Sequence, residues 1–209
     1  MTARLKVPPT KSTLLDLKKQ LINLEVGYEL LERKREILTR LVYERLKAYR
    51  KLRTLARETI AQAYFWVAIA QMHMGSKQLK QIALGMKSAI KVNILPKSNM
   101  GIEYPSIAAK ALPIQPIGLL KSDASVDEAR IHLIKMTTLF AELGEAEISL
   151  LRILEEQIKT QKRVNALKYN VIPKYKNTIK FIQDSLEEEN RNTLFQLKTL
   201  NDSRDKKRK

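Results

Sequence analysis

The first third of the chain carries an apolar seam of heptad spacing that runs for about eight heptads. The steps alternate between three and four residues, and Arg35 and Arg45 are the main interruptions. A pattern sustained for this length predicts a coiled coil rather than a helix of a globular domain. The seam residues are Leu14, Leu17, Leu21, Leu24, Tyr28, Leu31, Leu38, Val42, Tyr49, Leu52, Ala56, Ala63, Trp66 and Ala70.

A second seam occupies the last third of the chain. Two eleven-residue intervals, from Val164 to Tyr175 and from Tyr175 to Leu186, break its heptad spacing. An eleven-residue period relaxes or reverses a left-handed supercoil, so we expect the winding to change around Pro173. The seam residues are Val126, Ala129, Leu133, Met136, Leu139, Leu143, Ala146, Leu150, Ile153, Val164, Leu167, Val171, Tyr175, Ile179, Ile182 and Leu186.

The middle of the chain has a different composition. Residues 93–118 hold four prolines and read as irregular. Within this part, "SAIKVNIL" and "MGIEYPSI" predict a short hairpin around "KSNMG", and a short helix is expected near Lys77 to Leu84. The prediction is a small mixed lobe.

These three parts predict a mainly α protein in which the N- and C-terminal helices form a long antiparallel two-helix coiled coil. The predicted parts are an N-terminal shaft helix (1–74), a central lobe with a short helix and a β-hairpin (75–122), and a C-terminal shaft helix (123–209). A parallel dimer is the alternative. Two seams of similar length in one chain favour the intramolecular pairing, because the tether gives it a high effective concentration.

The chain lacks the residues that several classes of catalytic, metal and phosphate-binding site require. The chain has no cysteine and two histidines, His73 and His132, which lie far apart in sequence. Zinc sites need three or four converging ligands, and no glycine-rich phosphate loop is present. We therefore expect no catalytic residue, no metal and no cofactor. The most apolar run, residues 60–72, is too short to span a bilayer, and we expect a cytosolic protein.

The charge is strongly positive and unevenly distributed. The formal net charge is +17, and residues 157–183 carry seven Lys or Arg with no acid. Residues 33–57 carry ten basic side chains against two acids, Glu36 and Glu44. In an antiparallel pair of helices, the two basic stretches would lie beside each other along the helix axis. Charge of this kind indicates an acidic partner, nucleic acid or an anionic membrane surface.

Two blocks of sequence resemble a known family. "RVNALKYNVIPKYKNTIKFI" followed by "LEEENRNTLFQLK" is similar to the C-terminal region of the D subunits of vacuolar-type and archaeal-type rotary ATPases. "PPTKSTLLDLKKQL" with "GYELLERKREIL" is similar to the N-terminal helix of the same family. Lys168 stands where that family's pattern has Glu, which removes one negative charge from the basic stretch.

The resemblance implies a central rotor shaft that transmits torque and breaks no bond itself. Its implied partners are the catalytic and nucleotide-binding subunits of a hexamer, a small F subunit at the lobe, and a funnel-shaped subunit that caps a membrane ring. It implies a cytoplasmic protein that is peripheral to the membrane as part of the complex.

The residues expected to contact these partners follow from charge and exposure. Pro173 is expected to bend the shaft, because an interior proline lacks an N–H and crowds the preceding turn. The alternative interpretation is that Pro173 only curves the helix around its partner helix. The expected hexamer contacts are Arg45, Arg50, Arg53, Lys159, Lys162, Arg163 and Lys168, and the expected F-subunit contacts are Ile94, Met100, Ile102 and Tyr104.

Two other function classes remain open at this point. A basic coiled-coil protein that binds nucleic acid would explain the net charge, and steeply salt-dependent binding to random DNA would identify it. A dimeric scaffold would sediment as a stable parallel homodimer. The rotor interpretation instead expects an elongated monomer that binds its lobe partner one to one.

Overall fold

The computed structural model describes residues 4–116 and 122–208, apart from the side chains of residues 202 and 204–208. The end of the predicted lobe, residues 117–121, lies outside this part of the chain. The elements in chain order are helix α1 (Lys11–Met74), helix α2 (Ser76–Gly85), strand β1 (Ile90–Asn99), strand β2 (Ile102–Ala111), helix α3 (Ala124–Ala166), a π-helical turn (Leu167–Val171) and helix α4 (Ile172–Arg208). The predicted mainly α fold, with its short helix and hairpin, is confirmed.

Helix α1 begins at a threonine cap. The Thr13 N–H donates to Oγ1 of Thr10 (3.3 Å), and the Thr10 N–H donates to Oγ1 of Thr13 (3.1 Å). This reciprocal pair satisfies N–H groups that have no partner within the helix. Thr10 is therefore the cap of α1. The helix ends at Met74, before Gly75 with φ 78°, a conformation that suits glycine.

The chain divides into two compact units. The first contains Met1–Ile37 and Ile158–Lys209. Here the beginning of α1 packs against α4 around the buried residues Leu17, Ile179 and Ile182. Contacts at higher residue numbers of α1 are made with lower residue numbers of the C-terminal helix, which is the predicted antiparallel pairing.

The residues before α1 (4–10), called the strap below, extend this core. The Leu5 N–H donates to Oγ1 of Thr178 (3.0 Å), and Thr178 donates to the carbonyl of Lys174 (2.7 Å). Leu5 and Val7 pack on the same apolar cluster. The strap therefore adds to the packing of α4 against the beginning of the chain.

The second unit is Leu38–Gln157. One core cluster joins Leu38 of α1, Ile102 of β2 and Ile153 of α3. A second cluster contains Ala70, Val126 and Ala129. The partly buried residues packed against that second cluster are Trp66, Val67, Met74, Leu79, Ile82 and Met86. The hairpin and α2 are thus attached to the helix pair through apolar side chains.

The predicted seams coincide with the buried faces of the helices. Every seam residue predicted in either third of the chain is buried or half-buried. This agreement follows from the heptad period, because it places all seam residues on one side of a helix.

The hairpin is longer than the sequence predicted. Met100 and Gly101 form its two-residue loop with φ of 54° and 77°, the positive values of a type I′ turn. Both strands continue through a proline, since Pro96 pairs with Pro105 in the register. A two-stranded ribbon has an open edge on each side, where a proline costs no ladder hydrogen bond. The expectation that residues 93–118 are irregular is therefore wrong for most of this range, because β1 and β2 extend through it.

Candidate partner-binding surfaces

The hairpin has one covered strand and one exposed strand. On β2, Ile102 and Tyr104 are 7% and 9% exposed, and Ile102 packs on Leu38 and Ile153. The Ile107 N–H donates to Oε2 of Glu145 on α3 (2.7 Å), which ties the strand to the helix by a charge-assisted hydrogen bond.

Strand β1 faces away from this contact. Its residues after Ile90 are all exposed, and Ile94 is 64% exposed. The exposed apolar side chains of the ribbon are Val92, Ile94, Leu95 and Met100. Apolar side chains beside the open edge of a strand form a surface that suits another protein.

The structure separates the four residues that the sequence assigned to the F-subunit contact. Ile94 and Met100 lie on the accessible part of the ribbon, whereas Ile102 and Tyr104 are buried in the chain's own core. The sequence could have indicated that Ile102 and Tyr104 are buried together. They are two residues apart on β2, so their side chains share one face of the strand.

Three of the predicted hexamer contacts lie on α1 in the second unit. Arg50 and Arg53 are exposed. Arg45 is half-buried, and its guanidinium carbon lies 6.0 Å from the centroid of the Tyr104 ring. Arg45 therefore supports the hairpin by a cation–π contact as well as carrying charge.

The other four lie in the first unit, on α3 and the π-turn. Lys159, Lys162, Arg163 and Lys168 are all exposed. Lys168 lies with Nζ 5.5 Å from the ring centroid of Tyr169. The neighbouring seam residue Val164 is buried, so the helix presents apolar groups to its partner and cations to solvent.

The π-turn stands directly before Pro173. Across it, the N–H of Ile172 donates to the carbonyl of Leu167, five residues earlier. A turn of this kind inserts one extra residue and widens the helix locally. The widening accommodates the proline ring, which in a regular α-helix would crowd the carbonyl four residues before it. The sequence indicated an irregularity at Pro173 but did not specify its form.

A polar link between the helices in the first unit was not predicted. Nη1 of Arg35 donates to Oε1 of Gln161 (3.2 Å), and Nη2 of Arg35 lies 2.5 Å from Oε1 of Glu32. The sequence shows Arg35 only as an interruption of the seam. A long polar side chain at a seam position is the sequence feature that could have indicated a polar contact between the helices.

The described residues contain no group of three or more His, Asp or Glu placed to hold a metal ion. None of the helices in that part of the chain combines the length and the hydropathy that crossing a bilayer requires.

Comparison with known proteins gives a consistent result. The sequence profile of a family described as the D subunit of ATP synthase matches residues 13–202. The chain is 35% identical to the V-type ATP synthase D subunit of Thermotoga neapolitana, over 94% of this chain and 97% of that protein. It is 34% identical to the A-type ATP synthase D subunit of Pyrococcus furiosus, over 94% of each. It is 33% identical to the V-type ATP synthase D subunit of Clostridium novyi, over 93% of each. The family match over nearly the whole chain, with relatives of this identity and coverage, shows that the chain belongs to the ATP synthase D-subunit family.

Proposed function

We propose that this protein is the central rotor shaft of a V/A-type rotary ATPase, which transmits torque between a catalytic hexamer and a membrane ion-translocating ring. The observation that carries the proposal is the pairing of two long helices through apolar seams, with the cations directed to solvent, in a member of the D-subunit family. The shaft is a non-catalytic subunit, and the chemistry belongs to the hexamer.

Two sets of exposed cations are the proposed contacts with the catalytic and nucleotide-binding subunits. Arg50 and Arg53, with Arg45 beside them, form one set, and four residues from Lys159 to Lys168 form the other. Exposed ion pairs each contribute about 0–1 kcal/mol and are screened by salt. Many weak contacts of this kind suit a surface that must turn against its partner, whereas strong buried pairs would hold it in one position.

The exposed part of the ribbon is the proposed site for the small F subunit. Ile94 and Met100 supply the contacting side chains. Ile102 and Tyr104 act beneath them, because they attach the ribbon to α1 and α3 and so fix the direction in which β1 faces. In this proposal the division into two shaft helices and one lobe (1–74, 75–122 and 123–209) reflects the two kinds of partner.

The proline and its π-turn are the proposed source of shaft asymmetry. A shaft that turns inside a ring of alternating subunits has to present different faces to them in sequence. A bend at Pro173 would make those faces sterically unequal. The proposed location is cytoplasmic, peripheral to the membrane, with the funnel-shaped subunit of the ring as the third partner.

Affinity purification of the tagged full-length chain from native cells tests the proposal. Recovery of the catalytic hexamer and of a small lobe partner at one copy per chain is the expected result. Recovery of nucleic acid without ATPase subunits, or of a stable homodimer alone, would reject it in favour of the basic-binder or scaffold interpretation.

A further inference from the structure

The seam of the first unit contains a polar layer, formed by Glu32, Arg35 and Gln161, with the buried Thr160 next to Gln161 in sequence. Arg35 occupies the seam position between Leu31 and Leu38 of α1. Thr160 of α3 is 1% exposed in the stretch between the seam residues Ile153 and Val164. At this height, both helices therefore place polar groups in a seam that is otherwise mainly apolar.

The hydrogen bonds of the layer have a fixed direction. Arg35 has donors only, so Gln161 must present its Oε1 to Nη1 of Arg35 (3.2 Å). The amide nitrogen of Gln161 is then free to donate, and it donates to Oδ1 of Asn165 (2.8 Å). The same guanidinium lies against Glu32. Arg35 thereby links an acid on its own helix to an amide on the facing helix.

The layer is costly by comparison with apolar side chains. The Glu32 and Arg35 side chains are only 26% and 30% exposed. Oε2 of Glu32 is buried and has no hydrogen-bond partner within the described residues. Partly desolvated charge in a coiled coil is weak evidence for stability, and its best-attested role is to specify register.

The apolar seam by itself specifies register poorly here. Leu17, Leu24, Leu31 and Leu38 repeat every seven residues, as Leu14 and Leu21 do. A slip of one heptad along α1 therefore exchanges leucine for leucine at most seam positions of the first unit. The same slip moves the partner of Arg35 from Gln161 to Leu154 or to Lys168. Leu154 offers no side-chain acceptor, and Lys168 brings a like charge.

We propose that Arg35 and Gln161 are positioning residues that fix the antiparallel register of α1 against the C-terminal helix. They lower the stability of the native pairing relative to apolar side chains, but they disfavour the slipped pairings more strongly. The inference concerns the chain alone and does not depend on its proposed role as a rotor.

Thiol crosslinking in the full-length chain tests this, because the sequence has no cysteine of its own. Oε1 of Glu25 lies 2.8 Å from Nζ of Lys176 across the helix pair. Glu25→Cys with Lys176→Cys therefore reports the native register to a short bis-maleimide. Glu25→Cys with Gln183→Cys, or with Lys168→Cys, reports a slip of one heptad in either direction; Lys168 lies eight positions before Lys176 because the π-turn inserts one residue.

The slipped yield relative to the native yield is the measured quantity. Arg35→Leu/Gln161→Leu is expected to raise this ratio by about fivefold or more, a coupling of the size seen for residues in direct contact. Its Tm is expected to be equal to or above that of the parent. Gln161→Glu keeps an acceptor for Arg35 and should retain the parental ratio. Glu36→Leu, on an exposed neighbour of Arg35, is the matched control.

Gln161→Met keeps the side-chain length without the acceptor, which provides a second variant if the double substitution fails to fold. A slipped ratio that rises in Gln161→Met but not in Gln161→Glu supports the proposal. Equal ratios in the parent and in the Leu variant would overturn it, as would equal slipping of Gln161→Met and Gln161→Glu.

Discussion

The backbone N–H of Ile172 donates to the carbonyl of Leu167, so the helix closes a turn over five residues directly before Pro173. A regular α-helix would bring the proline ring against the carbonyl four residues back. The extra residue of the π-turn removes this conflict without ending the helix.

Pro173→Ala is expected to stabilise the chain only slightly. The gain should fall well below the ~3 kcal/mol by which alanine exceeds proline inside a regular helix, because the π-turn already accommodates the ring. In the assembled ATPase, the variant is expected to pump fewer ions per ATP if the bend sets shaft asymmetry. Calorimetry and pumping by reconstituted complexes measure the two effects.

Asn170→Ala, at an exposed residue of the π-turn, is the control. Unchanged pumping in Pro173→Ala would contradict the bend proposal.

Leu38→Ala is expected to be severely destabilising. Leu38 is fully buried between Ile102 and Ile153, and truncation of a leucine in such a site costs about 2–5 kcal/mol. Leu30→Ala, at an exposed leucine of the same helix, should change stability by less than about 0.5 kcal/mol. Urea unfolding of both variants measures the difference. Equal losses would mean that the seam does not pack at Leu38.

The hairpin supplies a matched pair of substitutions for the F-subunit contact. Ile94→Asp lies on exposed strand β1, so the chain should fold normally and lose capture of the lobe partner. Ile102→Ala removes buried contacts and should cost about 2–5 kcal/mol of stability. Partner pull-down together with thermal unfolding separates the two effects. Full capture by Ile94→Asp would place the contact elsewhere.

Neutralising the exposed cations of α3 tests the hexamer contact. Lys159→Gln/Lys162→Gln/Arg163→Gln should leave Tm nearly unchanged, since all three side chains are exposed. Assembly with the hexamer should weaken and lose part of its dependence on salt, because fewer screened ion pairs form. Assembly yields across a salt series give the measurement, with Lys11→Gln/Lys18→Gln/Lys19→Gln as the control. Normal assembly of the first variant at low salt would refute the contact.

Asp123 gives the chain a predictable response to acid. The Ser125 hydroxyl donates to its carboxylate (2.5 Å), and this contact, followed by His73 at 2.8 Å, lowers the pKa of Asp123 below its usual 3.8. The unfolded chain therefore binds the proton more readily. The contribution of Asp123 to stability is present above pH 3.8 and is lost as the pH falls through the lower folded-state pKa.

Carboxyl NMR titration and urea midpoints at several pH values test this response. The stability gap between the parent and Asp123→Asn should close as the pH falls below 3.8. Ser125→Ala should raise the pKa of Asp123 more than His73→Ala does, because the hydroxyl is the larger cause. A titration midpoint at or above 3.8 in the parent would contradict the expectation.

Periodicity alone determined the helical part of this protein. Two seams at heptad spacing predicted which apolar residues are buried along α1, α3 and α4, because a helix repeats its faces whatever lies opposite. The same period identified Arg35 as an exception. It contained no information about the residue that would face Arg35, and Gln161 is 126 positions away.

Only the tertiary structure decided the remaining features. Ile94 and Ile102 look alike as apolar residues of a short hairpin, yet Ile102 is buried and Ile94 is exposed. That difference depends on which face of the ribbon packs on Leu38 and Ile153, and burial of this kind is set by contacts distant in sequence. The π-turn before Pro173 is likewise visible only in the structure, since a proline in a helix permits a kink, an end or a widened turn.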